Sequence, residues 1–163
     1  FDCRQAPAEL FPYLGILKAL IGLVDTAHYS FQELFTEVDL LTGGLSPVTN
    51  IYTDAQNLSS QRVTFEIKGK AFHDRLADAL RLTEEMLLTS DFSDTKRLWE
   101  VLAELRSRMQ SAMISAGHTV ASGRALSYVS KTAALQEVIN GMDFYRLTER
   151  ISEKWEEEKK TLP

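Results

Sequence analysis

The sequence predicts an α+β fold in which an antiparallel β-hairpin packs against several helices. Residues 61–69 alternate, with Val63, Phe65 and Ile67 separated by polar side chains, as in a strand that buries one face. In the segments before and after the hairpin, apolar residues instead recur at spacings of three and four, which is typical of helices. Two strands alone are marginally stable in water, so the pair needs helices on one face and further strands beside it.

The predicted elements follow in chain order. Residues 8–24 are apolar on most of the helix circumference, which predicts a helix buried on more than one side with Pro12 in its first turn. Residues 30–42 form a second helix with a Ser30 to Glu33 capping box, and Gly43 and Gly44 end it. Strands over 45–53 and 61–69 are joined by a polar turn at 54–60.

Five further helices are predicted after the hairpin. A cap at Ser93 or Asp94 and a stop at Gly117 indicate a long helix between them. The segment from His118 to Ser130 is rich in small residues, which let a helix approach its neighbour closely or line a cavity. The predicted bounds are 71–88, 94–117, 119–130, 133–140 and 143–159, and the whole of 1–163 is taken as a single domain. Phe1 and Asp2 look like the end of a strand, so we expect the chain to be a piece of a longer protein.

Composition and charge argue against several function classes. The net charge of -5 argues against a nucleic-acid partner, because proteins that bind nucleic acids concentrate Lys and Arg on one face. The longest apolar run, residues 14–24, is too short for a bilayer span and contains Lys18, so no membrane partner is expected. Cys3 is the only cysteine, which rules out an internal disulfide.

The residues themselves indicate no autonomous active site. None of His28, His73 and His118 has a second histidine or a suitably placed glutamate within one helical turn, so no metal ligand set is predicted. We expect His118 to make a structural hydrogen bond where two helices meet. Glu84 and Glu85 are consecutive on a helix and point in different directions, which is wrong for a shared acid and base.

Three ordered stretches resemble one known family. They are Pro12-Tyr13-Leu14, the T-G-G-L-S-P-V-T-N-I-Y-T-D of residues 42–54, and the S-A-G-H-T-V-A-S-G-R-A-L-S-Y of residues 115–128, followed by G-M-D-F-Y at 141–145. Together they resemble the insulinase/pitrilysin family of inverted zinc metallopeptidases, in its presequence-protease branch. The resemblance covers nearly the whole chain.

The resemblance implies a noncatalytic role in a larger peptidase. Members are built from four similar units in two halves that close around an oligopeptide, and the first unit carries an H-x-x-E-H zinc helix. This chain looks like the third unit, a trimmed unit of the inverzincin fold, and residues 14–22 take the place of the zinc helix without a histidine or glutamate. The expected cofactor is therefore none in this segment, with zinc in the catalytic half, and no catalytic or metal residue is carried over.

The implied partners are the catalytic half of the same polypeptide and an unstructured peptide substrate. The chain would wall the chamber and support closure, with His118, Arg124 and Tyr128 as candidate contacts to the chamber or to the other half. Arg124 and Tyr128, four apart on one helix face, also fit ordinary packing with a polar tip. Members of the family occur in mitochondria, plastids or bacterial cytoplasm, so an intracellular setting is implied without choosing among these.

A different function class stays open at this point. The chain also fits a stand-alone helical domain that binds a partner through apolar grooves and has no enzymatic activity. An H-x-x-E-H motif upstream in the parent reading frame would separate the two alternatives. As a trimmed unit with few strands, the chain is further expected to expose a sheet edge through which it self-associates.

Overall fold

The computed structural model describes residues 1–57 and 59–158 and has the α+β architecture that the sequence predicts. A short 3₁₀ turn at Ala8–Leu10 leads into the first helix, and another at His73–Arg75 precedes the third. The helices and strands are α1 (Phe11–Leu20), α2 (Phe31–Leu41), β1 (Leu45–Thr53), β2 (Gln61–Gly69), α3 (Leu76–Leu88), α4 (Thr95–Ser115), α5 (Gly117–Ser127), α6 (Lys131–Asn140), α7 (Met142–Glu153) and α8 (Trp155–Glu158).

The strands β1 and β2 form the predicted antiparallel hairpin. Leu45 lies opposite Gly69 and Thr53 lies opposite Gln61, so both strands are paired along their full length. The alternating side chains of β2 bury Val63 and Phe65, which face the helices. The hairpin therefore supplies one apolar face to the core, as the period of two indicates.

Residues 1–3 form a short third strand on the outer side of β2. The amide of Phe65 donates to the carbonyl oxygen of Phe1 at 3.0 Å, and the amide of Cys3 donates to the carbonyl oxygen of Val63 at 2.9 Å. The amino terminus donates to the carbonyl oxygen of Phe65 at 2.7 Å. The strand-like character predicted for Phe1 and Asp2 thus corresponds to real pairing with β2.

The helix α1 lies between two apolar clusters and belongs to both. On one side Ile16 and Leu20 pack with side chains of α4 and α7, among them Phe144. On the other side Ile21, which directly follows α1, packs with Phe65 of the hairpin and with Leu82 of α3. A helix in this position is apolar nearly all round because both of its sides are buried.

Several helix ends differ from their predicted positions. The helix predicted over 8–24 ends at Leu20, because the backbone turns extended at Ile21 and Gly22 takes a φ of +84°. Gly117 does not end the long helix as predicted but begins α5, and the break falls at Ala116, whose φ is -129°. The small-residue helix ends at Ser127, and α6, capped by Ser130, begins two residues earlier than predicted.

The two ends of the later helical region also differ. The helix predicted from residue 71 begins at Leu76, after the 3₁₀ turn, and the last predicted helix is broken at Lys154 into α7 and α8. Its predicted final residue, 159, lies outside the described residues. Trp155 of α8 packs against Trp99 of α4, with ring centroids 5.2 Å apart. Among the described residues, no helix combines the length and apolarity required to cross a membrane.

Candidate functional site

The helix α1 carries no metal-ligating side chain, although it lies against the sheet. Its sequence, F-P-Y-L-G-I-L-K-A-L, contains no His, Cys, Asp or Glu, and its single charged residue is Lys18. Across residues 1–57 and 59–158, no group of three or more His, Cys, Asp and Glu side chains comes together to hold a metal ion. The residues present therefore do not fit a zinc site, and no chemistry in this chain is derived through one.

The three residues predicted as contacts all belong to α5 or its end, but only two of them come together. The Arg124 guanidinium carbon lies 5.4 Å from the centroid of the Tyr128 ring. Tyr128 itself is 75% exposed. His118 is also exposed, and among the described residues its ring makes no hydrogen bond or ion pair, so the structural hydrogen bond expected for it is not present.

Arg124 joins α5 to α6 and α7. Its Nη1 donates to Asp143 Oδ2 at 2.8 Å and to Glu137 Oε1 at 3.3 Å. The hydrogen bond to Asp143 raises the pKa of Arg124 above its ordinary value, with a further contribution from Tyr128 that outweighs the opposing effect of burial. Arg124 is therefore a fixed cation that holds α5 in place.

Glu137 is the buried centre of this network, and sequence reasoning missed it. Its side chain is only 7% exposed, and besides Arg124 it accepts a hydrogen bond from the Met142 amide at 2.9 Å. The carboxylate thereby caps the first turn of α7, where a negative charge is favourable. One signal was present in the sequence: Gly141 lies four residues after Glu137, and the absence of a Cβ there leaves room for the carboxylate.

An apolar groove of about 440 Å³ runs between α4, α5 and α6. The small-residue segment of α5 lines one side through Gly123 and Thr119, as a cavity-lining helix would. Methionines from both ends of the region lie in the wall, and their flexible thioether side chains adapt to different apolar partners. The remaining walls are formed by apolar and small residues, including Met109, Ala112, Met113, Val120, Leu126, Ala133 and Met142.

Large apolar side chains are exposed around this groove. Ile114 near the end of α4 is 82% exposed and Val129 after α5 is 83% exposed. The helix α5 contains no buried residue at all, and the last turns of α4 are exposed on most sides. We call this region the α4–α5 surface: Ile114, the helix α5, Tyr128 and Val129. A surface with several large apolar residues close together is typical of a protein contact.

A second exposed apolar strip lies on α3. Phe72, Leu76 and Leu80 are spaced by four residues and are all more than half exposed, while Leu82 and Met86 of the same helix are buried. Residues spaced by four lie on one helix face. The helix α3 thus has apolar residues on two faces and buries only one of them.

A polar pair ties the link before α2 to α3. The His28 ring nitrogen Nδ1 lies 2.9 Å from Glu85 Oε2, and the His28 amide donates to Glu85 Oε1 at 3.2 Å. Burial alone would raise the pKa of Glu85, but hydrogen bonds from Thr26, Thr89 and His28 outweigh it and lower the pKa to about 2. Glu84 points elsewhere and is exposed, so the two consecutive glutamates do not share a site, as predicted.

These features describe a noncatalytic domain with apolar contact surfaces, and comparison with known proteins gives its class. A family model described as Peptidase M-16C associated matches residues 1–151. The chain belongs to this family of peptidase-associated domains, as the resemblance read from its sequence motifs indicated.

Individual relatives agree with this assignment. The chain is 28% identical over 162 residues to Protein HypA of Clostridium perfringens, covering 99% of this chain and 16% of that protein. It is 29% identical over 147 residues to the mitochondrial presequence protease of Xenopus tropicalis and 27% identical over 146 residues to that of Saccharomyces cerevisiae, covering 90% and 89% of this chain. It spans about one sixth or less of the length of these relatives.

Proposed function

We propose that this peptidase-associated domain forms part of the wall of a closed peptide chamber in a zinc metalloendopeptidase. In this proposal the zinc and its ligands belong to the catalytic half of the parent polypeptide, and unstructured peptides are the substrate. The domain supports closure by contacting that catalytic half, and it confines the peptide without taking part in the chemistry.

One observation carries the proposal. The helix α1 lies against the hairpin, as the zinc helix does in a catalytic unit of the resembling family, yet its side chains are apolar apart from Lys18. A unit that keeps this arrangement without ligands has a structural role. The match of residues 1–151 to a peptidase-associated family and the printed names of the mitochondrial relatives support the larger setting.

The α4–α5 surface is the best candidate for the contact with the catalytic half. Its helix α5 buries none of its own residues, while Ile114, Tyr128 and Val129 are each at least 75% exposed. Arg124 fixes α5 from the other side, so the surface is presented on a positioned helix. Tyr128 belongs to this contact as an amphipathic side chain, and His118 lies on a different face of α5.

The setting is tested by reading the parent gene and by assaying the purified chain. We expect an H-x-x-E-H motif several hundred residues upstream in the same reading frame. The isolated chain should contain no stoichiometric zinc by elemental analysis and should leave unstructured peptides uncleaved. A reading frame without the motif, or enzyme-like cleavage by this chain alone, would refute the proposal.

The contact is tested with a separately expressed catalytic half of the parent. Isothermal titration should detect binding of this chain to that half, and Ile114→Asp and Val129→Asp should each weaken it by about tenfold or more, since a charge would be buried at an apolar contact. Leu88→Asp is the matched control, because Leu88 is 70% exposed on α3 and lies outside the α4–α5 surface. Equal effects of all three variants would assign the contact elsewhere.

A further inference from the structure

Lys18 is a half-buried cation that has no carboxylate partner among the described residues. It is the only charged residue of α1, and its ammonium group donates a hydrogen bond to the side-chain oxygen of Asn140 on α6. Burial lowers the pKa of Lys18, and the nearby Arg108 lowers it further. Removing an ammonium group from water is costly, and a single neutral amide compensates it only in part.

Lys18 and Arg108 line the same cleft. This cleft of about 490 Å³ lies between α1, α2, β1 and α4. Arg108 is 59% exposed and its nearest carboxylate is Glu104, one turn away on α4 at 3.7 Å, which is a weak and solvent-screened pair. On the opposite rim, α2 contributes the exposed Asp39. Two cations of different helices thus face one cleft, and they repel each other until an anion binds between them.

The rest of the cleft is mostly apolar. Phe35, which is 58% exposed, lines it together with Val38 of α2 and Leu105 of α4. A cleft with low-dielectric walls and two cations concentrates a positive potential inside it. Its size exceeds that of a lone ion and suits an acidic side chain together with an apolar neighbour. The overall charge of -5 argues against a nucleic-acid phosphate as the anion.

We propose that this cleft binds a carboxylate of a peptide segment, with Lys18 and Arg108 as its cationic contacts. The apolar wall formed by Phe35, Val38 and Leu105 takes the side chain next to the carboxylate. The carboxylate belongs either to an acidic side chain or to a peptide C-terminus, and both present the same chemistry to the two cations. The inference concerns this chain alone and stands independently of the proposed chamber role.

The test is a titration of the purified chain with short peptides followed by isothermal calorimetry. The probe is an acetylated and amidated Leu-Glu-Leu-Glu-Leu peptide, compared with its Gln counterpart and with a Gln counterpart that keeps a free C-terminus. We expect the Glu peptide to bind at least about tenfold more tightly than the amidated Gln peptide. Binding should weaken between about 20 mM and about 300 mM salt, since an ion pair at a partly open cleft is screened. Tight binding of the free-terminus peptide alone would assign the carboxylate to a chain end.

Two variants separate the site from general charge. Lys18→Met and Arg108→Gln should each weaken binding of the Glu peptide by about tenfold. Lys96→Met is the matched control and should leave binding unchanged, because Lys96 is exposed and lies about 18 Å from Arg108 along α4. Lys18→Met should melt at or above the temperature of the unaltered chain, because it replaces an incompletely paired cation by an apolar side chain. Equal binding of the Glu and amidated Gln peptides, or binding that Lys18→Met leaves unchanged in a folded chain, would overturn the proposal.

Discussion

Glu85 shows how a single carboxylate links two segments that are far apart in sequence. Its side chain is 11% exposed and receives the amide and ring of His28, which precedes α2. The pKa of Glu85 falls from an ordinary value of 4.5 to about 2, because burial, which disfavours the charged form, is outweighed by the hydrogen bonds that favour it. The ionised carboxylate is therefore a stabilising group in the folded chain.

We expect the stability of the chain to fall as the pH is lowered across a window set by this carboxylate. A group whose folded pKa is depressed stabilises the fold above its unfolded pKa, so the contribution of Glu85 is complete above about 4.5 and is lost as the pH falls toward 2. Glu85→Gln should cost about 1 kcal/mol at neutral pH, a small value because His28 is exposed. Urea unfolding at several pH values measures this, with Glu84→Gln as the control. A difference between Glu85→Gln and the unaltered chain that stays constant down to pH 2 would contradict the assignment.

Arg124 is expected to act as a clamp rather than as a free surface charge. Arg124→Met should lower the melting temperature by several degrees, because it leaves the buried Glu137 without its cation. Arg146→Met is the control, since Arg146 is exposed and contacts Asp143 at 3.6 Å. The double variant Arg124→Met with Glu137→Met should recover part of the loss in a melting experiment. Equal melting temperatures for Arg124→Met and Arg146→Met would show that Arg124 carries no such role.

At the scale of elements, the packing of α1 on α6 and α7 depends on one glycine. A Cβ at Gly15 would lie 2.6 Å from the Phe144 ring and would also meet the carbonyl oxygen of Ile139. Backbone cannot rotate away as a flexible side chain can, so a methyl group there pushes the helices apart. The helix α1 thus reaches both neighbours because residue 15 lacks a side chain.

Gly15→Ala is therefore predicted to destabilise the chain by about 1–3 kcal/mol through overpacking. Gly123→Ala is a matched control in α5, where a Cβ would meet nothing within 4 Å. That control should be neutral or should stabilise by up to about 1 kcal/mol, since alanine favours a helix over glycine. Denaturant unfolding of both variants decides the point, and similar values for the two would mean that the close approach is not a constraint.

The elements differ in how far sequence alone could predict them. The hairpin was accessible because its period of two and its polar turn are local signals, and the Ser30 capping box was likewise local and is present in the structure. Gly117 was misassigned because a glycine between two helical segments can end one or begin the next. The partner of Arg124 was not accessible, because Glu137 meets it only through the packing of α6 on α5.

At the scale of the molecule, stability should be concentrated around α1 and decline toward α5. The helix α1 lies between both apolar clusters, whereas α5 has no buried residue. Local opening is easiest where few apolar contacts are broken. Hydrogen exchange followed by mass spectrometry should find amides of α1 and β2 among the slowest and those of α5 among the fastest. Comparable protection in α5 and α1 would contradict this distribution.

Self-association through the sheet stays a prediction, and the structure narrows where it would occur. Pro47 in β1 has no amide hydrogen, and the Thr53 hydroxyl lies 2.7 Å from that of Thr132 on α6, so the outer side of β1 is a poor template for another strand. On the other edge, residues 1–3 pair with Val63 and Phe65, and the backbone of Ile67 has no further strand partner in the described part of the chain. Sedimentation velocity over a wide concentration range should detect reversible dimers, and a monomer at all concentrations would refute the prediction.

The packing of Trp155 against Trp99 has a practical consequence for spectroscopy. These are the only two tryptophans of the chain, and their rings share one environment at the junction of α8 with the start of α4. Intrinsic fluorescence excited at the indole band therefore reports the docking of this single corner. Emission will register the detachment of the last helical turn long before it registers melting of the hairpin, so the two events can be timed separately with one cuvette and a dichroism trace.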